Sequence, residues 1–242
     1  FLENMENKFV NSEKLQVVFQ STKKSNKEVL GNKKNWITFV GKLNKAKGYD
    51  IFGKAVTKVL NKYKHWSALI VGDEKREDIK FNHKNLKKLG FLKHQKVLDI
   101  FKKTSIAVVC SRWEEPFGRT SLEAAANGCA VIITNKGGLP ETITNGIILK
   151  RLNSKDLEKT IENLIKNKNK RKRIQKLSLE NFYLTNEYVS KIIDDYRDLK
   201  LLTQSYYIRK KENRPLRILH ITNFNERLDG RLFFNTGRRI NN

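Results

Sequence analysis

Two hydrophobic periods alternate along this chain. Short continuous apolar runs occur at WITFVG (Trp36–Gly41), SALIVGD (Ser67–Asp73), SIAVVC (Ser105–Cys110) and AVIITN (Ala130–Asn135). Runs of this length bounded by turn residues read as strands buried on both faces. Between them, YDIFGKAVTKVLNKY (49–63), HQKVLDIFKK (94–103) and the LEAAA run ending at Ala126 place apolar residues at helical spacing. Three more helical patterns follow at 154–166, 168–180 and 185–203. Strands alternating with helices predict an α/β fold, a parallel sheet with helices on both faces, followed by a helical tail. Towards the start, residues 1–13 read as the tail of a helix and LQVVF (Leu15–Phe19) as a strand, then a polar linker. Near the end, RILHIT (Arg217–Thr222) reads as a strand, and a loop with Asp229-Gly230 opens another helical pattern.

The run from Val108 to Glu141 concentrates the chemistry. Glu115 and Glu123 stand with seven residues between them, and Pro116-Phe117-Gly118-Arg119-Thr120-Ser121 reads as a turn that starts a helix. Pro and Gly break the preceding strand, Thr and Ser are capping types, and LEAAA has high helix propensity. Gly128 is placed to end that helix before AVIITN. The unit is therefore βαβ, and parallel sheets bind ligands beyond the carboxyl ends of their strands. The N–H groups at such a helix start suit a phosphate. Two acids at this spacing are, taken alone, more often a solvated helix face than a site.

The whole run, Glu115-Pro-Phe-Gly-Arg-Thr-Ser-Leu-Glu123-Ala, then AVIIT, then Gly137-Gly138-Leu139-Pro140-Glu141, is far more specific. It resembles the donor-binding signature of the family 4 retaining glycosyltransferases, which have the GT-B fold. The resemblance implies that this region is a Rossmann-like carboxy-terminal domain of that fold. The loop GKLNKAKG resembles the family's G-R-L-x-x-x-K-G, whose cations hold a nucleotide diphosphate. Lys42 and Lys47 fall on those places, with lysine where arginine is usual at 42, so a bidentate fork becomes a point charge. Gly41 opens the same loop, and Gly72 belongs to the V-G-D run that lies near the nucleotide in the family. KKLGFL (Lys87–Leu92) corresponds to the strand beside the base, with Gly90 ahead of Phe91. After Glu141 the family shows D-G-x-x-G, whereas here Thr144-Asn145-Gly146 continues into Ile147-Ile148-Leu149 without a second glycine.

The resemblance implies a catalytic set of Glu115, Lys42 and Lys47. It implies nucleotide-sugar contacts at Glu123, Phe117, Gly118, Arg119, Thr120, Gly41 and Gly72. The lysines and the helix start at Arg119–Thr120 would take the diphosphate, Glu123 the ribose hydroxyls, and Glu115 with the Phe117-Gly118 backbone the donor sugar. The substrate would be a nucleotide-diphosphate sugar and the acceptor a glycan or lipid-linked glycan of cell-surface polysaccharide or lipopolysaccharide. No cofactor and no metal are expected.

Composition adjusts this picture in two ways. The chain carries 50 Lys+Arg against 25 Asp+Glu, a net charge of +25 over 242 residues. Such a surface is drawn to anionic membrane or nucleic acid. Nucleic-acid binding calls for clustered arginine with aromatics, and here the charge is dispersed lysine, densest at Lys166–Lys176. Dispersed lysine reads equally as a compositional habit spread over solvated faces, so no specific nucleic-acid partner is expected. The two cysteines fit a reducing cytoplasm, and the family resemblance, with its lipid-linked acceptors, implies peripheral association at the inner face of the membrane. Cys110 and Cys129 read as small core residues, and the four histidines share no spacing and read as surface or packing.

The domains expected are 1–34, a remnant of an amino-terminal acceptor domain and its linker; 35–203, the nucleotide-sugar domain with its helices; 204–215, a linker; and 216–242, the first βα unit of a second GT-B domain. On that reading most of the acceptor domain is missing and this stretch alone transfers little sugar. A GT-B phosphorylase, a GT-B epimerase, a basic binding module and an inactive remnant are the alternatives.

Overall fold

The computed structural model describes residues 17–208. The helix expected at 1–13, the start of the strand expected at Leu15–Phe19 and the βα unit expected at 216–242 lie outside them. The chain divides into two units, Phe1–Val189 and Ser190–Asn242.

Six strands form one parallel sheet: β1 Lys34–Val40, β2 Ser67–Val71, β3 Leu86–Lys88, β4 Thr104–Val109, β5 Ala130–Thr134 and β6 Ile147–Leu149. Their order is β3-β2-β1-β4-β5-β6. Chain order reverses between β1 and β4, which pair in parallel through Ile37↔Ile106 and Phe39↔Val108. Such a switch point leaves a crevice beyond the carboxyl ends of the two strands, where Rossmann-like sheets bind ligands.

Among the described residues the α-helices are α1 Tyr49–Lys62, α2 His94–Lys103, α3 Arg119–Ala126, α4 Ser154–Lys166, α5 Lys168–Glu180 and α6 Asn186–Ile208. Strand alternation sorts them onto two faces. Ile37, Phe39, Ile106, Val108 and Ile132 point to one face and pack with α1 and α4. Ala107, Val131 and Ile133 point to the other and pack with α2 and α3. The helices at 154–166 and 168–180 run as their periodicity predicts, while α6 continues to Ile208, into the stretch expected as linker. Strand β6 was not among the expected elements. Val17–Phe19 form no strand.

Two cations, Arg171 buried and Lys33 half-buried, fasten the helices. Arg171 of α5 donates to the carbonyls of Leu164 and Ile165 at the end of α4, and its guanidinium lies 5.0 Å from the Trp66 ring centroid. Lys33, just before β1, donates to the carbonyl of Phe101 in α2 (3.0 Å) and to that of Asn127 at the end of α3 (2.6 Å). Burial lowers the Lys33 ammonium from its ordinary range. The polar stretch before it lies against the same domain. Ser25 donates its N–H to the Ala126 carbonyl and its hydroxyl to Asn127 Oδ1, and Thr22 N–H bonds the Leu184 carbonyl.

Candidate functional site

Every site residue predicted from the sequence falls on a loop or helix start at the carboxyl edge of this sheet. Gly41 and Lys42 follow β1, and Lys47 ends the same loop. Gly72 follows β2. Glu115, Phe117 and Gly118 lie between β4 and α3, and Arg119, Thr120 and Glu123 lie on α3.

The loop from Gly41 to Gly48 is braced on both sides. Asn44 is its internal strut: its Oδ1 accepts from Lys47 N–H, and its Nδ2 donates to Glu74 after β2. Arg76 grips the same Glu74 carboxylate through Nε and Nη2, and this with the Arg76 backbone N–H and Asn44 holds the carboxyl down to about 2. On the β4 side, Arg112 forms a two-pronged pair with Asp50 (2.6 and 2.8 Å), and its N–H and that of Trp113 bond the Ala46 carbonyl. Gly48 is at φ 73°, and a Cβ there would lie 1.9 Å from the Cys110 carbonyl oxygen.

This bracing brings Lys47 to Glu115. Lys47 Nζ donates to Glu115 Oε1 at 2.5 Å, with the Glu115 side chain only 8% exposed. A carboxylate this buried needs its countercharge. Lys42, by contrast, is exposed and forms no ion pair among the described residues. Gly72 owes its identity to packing: at φ 126° its added Cβ would stand 2.0 Å from the Gly41 carbonyl oxygen. Its N–H donates to the Gly90 carbonyl at 2.8 Å, so the ends of β1, β2 and β3 meet there.

The Glu115 loop rests on Gly137 and Gly138. The Glu115 carbonyl accepts from Gly138 N–H at 2.7 Å, and a Cβ on Gly137 would lie 2.1 Å from that same oxygen. The Phe117 side chain is buried and stacks on Phe19 at 5.6 Å between centroids, so only its backbone can face a ligand. Helix α3 starts differently from the capping expectation. Gly118, at φ 111°, is the residue before it, and no side chain caps the first turn. Ser121 instead donates back to the Gly118 carbonyl and accepts from Thr142. The first-turn N–H groups are thereby left without a side-chain partner, as an anion site requires.

Glu123, the second carboxylate, is also buried. Its Oε1 accepts from Arg119 Nε at 2.8 Å and lies 2.8 Å from His94 Nε2. Arg119 thus meets Glu123 on its own helix. His94, read from the sequence as surface or packing, belongs to the site; nothing in the sequence places residue 94 beside residue 123. Cys110 and Cys129 are buried and free, and burial pushes the Cys110 thiol up to about 12. Among the described residues no three His, Cys, Asp or Glu side chains gather as metal ligands.

Residues 20–178 match the family described as Glycosyl transferases group 1. The chain belongs to that family. Spore coat protein SA of Bacillus subtilis is 30% identical over 162 residues, 60% of this chain and 43% of that protein. The chain therefore spans less than half the length of this curated relative. Among solved structures, the C-terminal domain of a glycosyl transferase group 1 family protein (LpcC) from Francisella tularensis matches with a TM-score of 0.55. It is 24% identical, over 67% of this chain and 93% of that one. HepE of Anabaena, solved with UDP-glucose, matches with a TM-score of 0.61 at 18% identity, over 77% of this chain and 59% of that one. These structural matches place the glycosyl transferases group 1 domain in the GT-B architecture.

Proposed function

We propose that this chain carries the donor site of a retaining glycosyltransferase, which moves a sugar from a nucleotide-diphosphate sugar to a glycan or lipid-linked acceptor in cell-surface polysaccharide or lipopolysaccharide synthesis. One observation carries the reading: two buried carboxylates, Glu115 and Glu123, flank an uncapped helix start at the switch point of the sheet, each held by a cation. The diphosphate lies between Lys42, Lys47 and the first turn of α3. There two ammonium groups and backbone N–H groups stabilise the charge that builds on the leaving group. Glu123 takes the ribose hydroxyls, Glu115 a hydroxyl of the donor sugar.

In the reaction the acceptor oxygen bonds to the anomeric carbon on the face from which the diphosphate departs, so configuration is retained. The bond broken is that between the anomeric carbon and the phosphate oxygen, and the acceptor proton leaves with the diphosphate. Glu115 positions the donor and shapes the field around it. Lys47 spends one of its three ammonium N–H groups on Glu115 and has the others for phosphate, so it bridges the two when the donor enters. That HepE is solved with UDP-glucose supports a sugar nucleotide as ligand. Peripheral association with an anionic membrane is supported by the exposed face of α5 and the residues before it. Lys166, Lys168, Lys170, Lys172, Arg173 and Lys176 are exposed there and form no ion pair among the described residues.

The test is calorimetric titration of the chain with UDP and with GDP, repeated on Glu123→Ala. One nucleotide should bind, and the substitution should weaken it at least tenfold, the scale of a lost charge-assisted hydrogen bond. Equal binding by the variant refutes the site.

A further inference from the structure

The two oxygens of Glu123 are treated differently. Oε1 takes both the Arg119 and the His94 contacts, each at 2.8 Å, and no hydrogen bond reaches Oε2 among the described residues. No fully buried side-chain oxygen or nitrogen among those residues lacks a partner, so the unbonded Oε2 is reached by solvent although the residue is only 4% exposed. An ionised carboxylate has about four acceptor positions, and two donors on one oxygen fix its plane and aim the other outward. The two donors differ in stiffness. Both side chains are more than half exposed, 63% for Arg119 and 54% for His94, so the difference is one of length: Arg119 has four side-chain torsions and comes from the same helix as Glu123. His94 has two side-chain torsions and comes from another element, the first residue of α2. The loop ahead of it is anchored: Leu89 N–H bonds the Ile70 carbonyl, and the Gly90 carbonyl receives Gly72 N–H.

We infer that His94 is a positioning residue which holds Glu123 by Oε1 so that Oε2 meets the ribose hydroxyls of the donor nucleotide, making selection of a ribonucleotide depend on His94. The inference rests on the donor-site reading above and adds the residue that sets its sugar-ring specificity. His94 touches the ligand only through Glu123. Its loss therefore lowers affinity for a nucleotide that has ribose hydroxyls and leaves affinity for one without them unchanged.

The experiment compares, by calorimetry on the full chain, whichever of UDP or GDP wild type binds with the same nucleotide lacking both ribose hydroxyls. Wild type should prefer the hydroxylated form about thirtyfold, the scale of charge-assisted hydrogen bonds to one carboxylate. Glu123→Gln should remove most of that preference. His94→Phe, which keeps a ring and removes the donor, should reduce it about fivefold through the hydroxylated ligand alone. His94→Gln, whose amide nitrogen reaches the place of Nε2, should restore it. Should His94→Phe fail to fold, His94→Asn, whose amide falls short of Glu123, takes its place in the same comparison. Equal losses for both nucleotides, or an unchanged ratio, overturn the inference while Glu123→Gln leaves the donor site standing. Wild type that binds neither nucleotide overturns both.

Discussion

Substituting Gly137 by alanine isolates the contact that supports Glu115. Gly137 is at φ 55°, and the added Cβ would lie 2.1 Å from the Glu115 carbonyl oxygen and 2.7 Å from its nitrogen. Ordinary carbon–oxygen contact begins about 1 Å further out, so one of the two backbones must move by roughly that much. The left-handed conformation costs alanine about 1–2 kcal/mol, and forcing the backbones apart adds about 1–3 kcal/mol. Gly90 supplies the control. It sits at φ 68° with nothing within 4 Å of an added Cβ, so Gly90→Ala carries the conformational cost alone. Thermal denaturation should place Gly137→Ala on the order of 5 °C below Gly90→Ala, given about 2–4 °C per kcal/mol for a domain of this size. Calorimetry adds a second readout. A Glu115 loop displaced by about 1 Å loses the part of the affinity that comes from the donor sugar, because positioning is that sensitive. The nucleoside diphosphate itself should bind as before. Coincident melting of the two variants would refute the packing account of the Gly137-Gly138 pair.

Three further outcomes follow from the same geometry. Arg171→Met should destabilise the domain by about 2–4 kcal/mol, since it orphans the Leu164 and Ile165 carbonyls and removes the cation over Trp66; Arg171→Lys should recover only part of this in a denaturant titration. Glu74, whose carboxyl is held down to about 2, gives the Gly41–Gly48 loop support that is complete above the ordinary carboxylate range and is lost as pH falls towards 2. Acid melts of Glu74→Gln should lack that component, and an identical acid profile in the two proteins counts against the bracing role. Replacing Lys168, Lys170, Lys172 and Lys176 by glutamine should cut retention on phosphatidylserine vesicles at least a hundredfold at low salt, at about 1 kcal/mol per charge. Retention that ignores both the substitutions and added salt is the contrary result.

Much of this architecture was legible because strands buried on both faces and amphipathic helices differ in period. The helices at 154–166 and 168–180, and the strands that carry the glycine turns, came directly from that contrast. What escaped was whatever depends on a neighbour. Strand β6 is three residues long, too short to show a period, and exists through its pairing with β5 at Ile132↔Ile147 and Thr134↔Leu149. Val17–Phe19 look like a strand, but a strand is defined by its partner, and Phe19 spends its ring on Phe117 instead. The capping types Thr120 and Ser121 promised a conventional helix start. The left-handed Gly118 takes that place because Leu139 stands where its Cβ would be. His94 could not be read at all, since its partner comes 29 residues later on another helix.

Lys33 makes helices α2 and α3 into a pair of calipers. One ammonium grips both at their carboxyl ends, while the working tips, His94 and the Arg119–Glu123 turn, are at the opposite ends. Helix α2 is about 15 Å long at 1.5 Å per residue, so a ten-degree pivot at the Lys33 end carries His94 through about 2.6 Å, nearly a whole hydrogen-bond length. The gap between the jaws is therefore gauged from the far end of the domain. Acylation of that amine would leave it one N–H for two carbonyls, so one of the two grips is lost at the carboxyl ends while the jaws are untouched and the shared core still holds the helices.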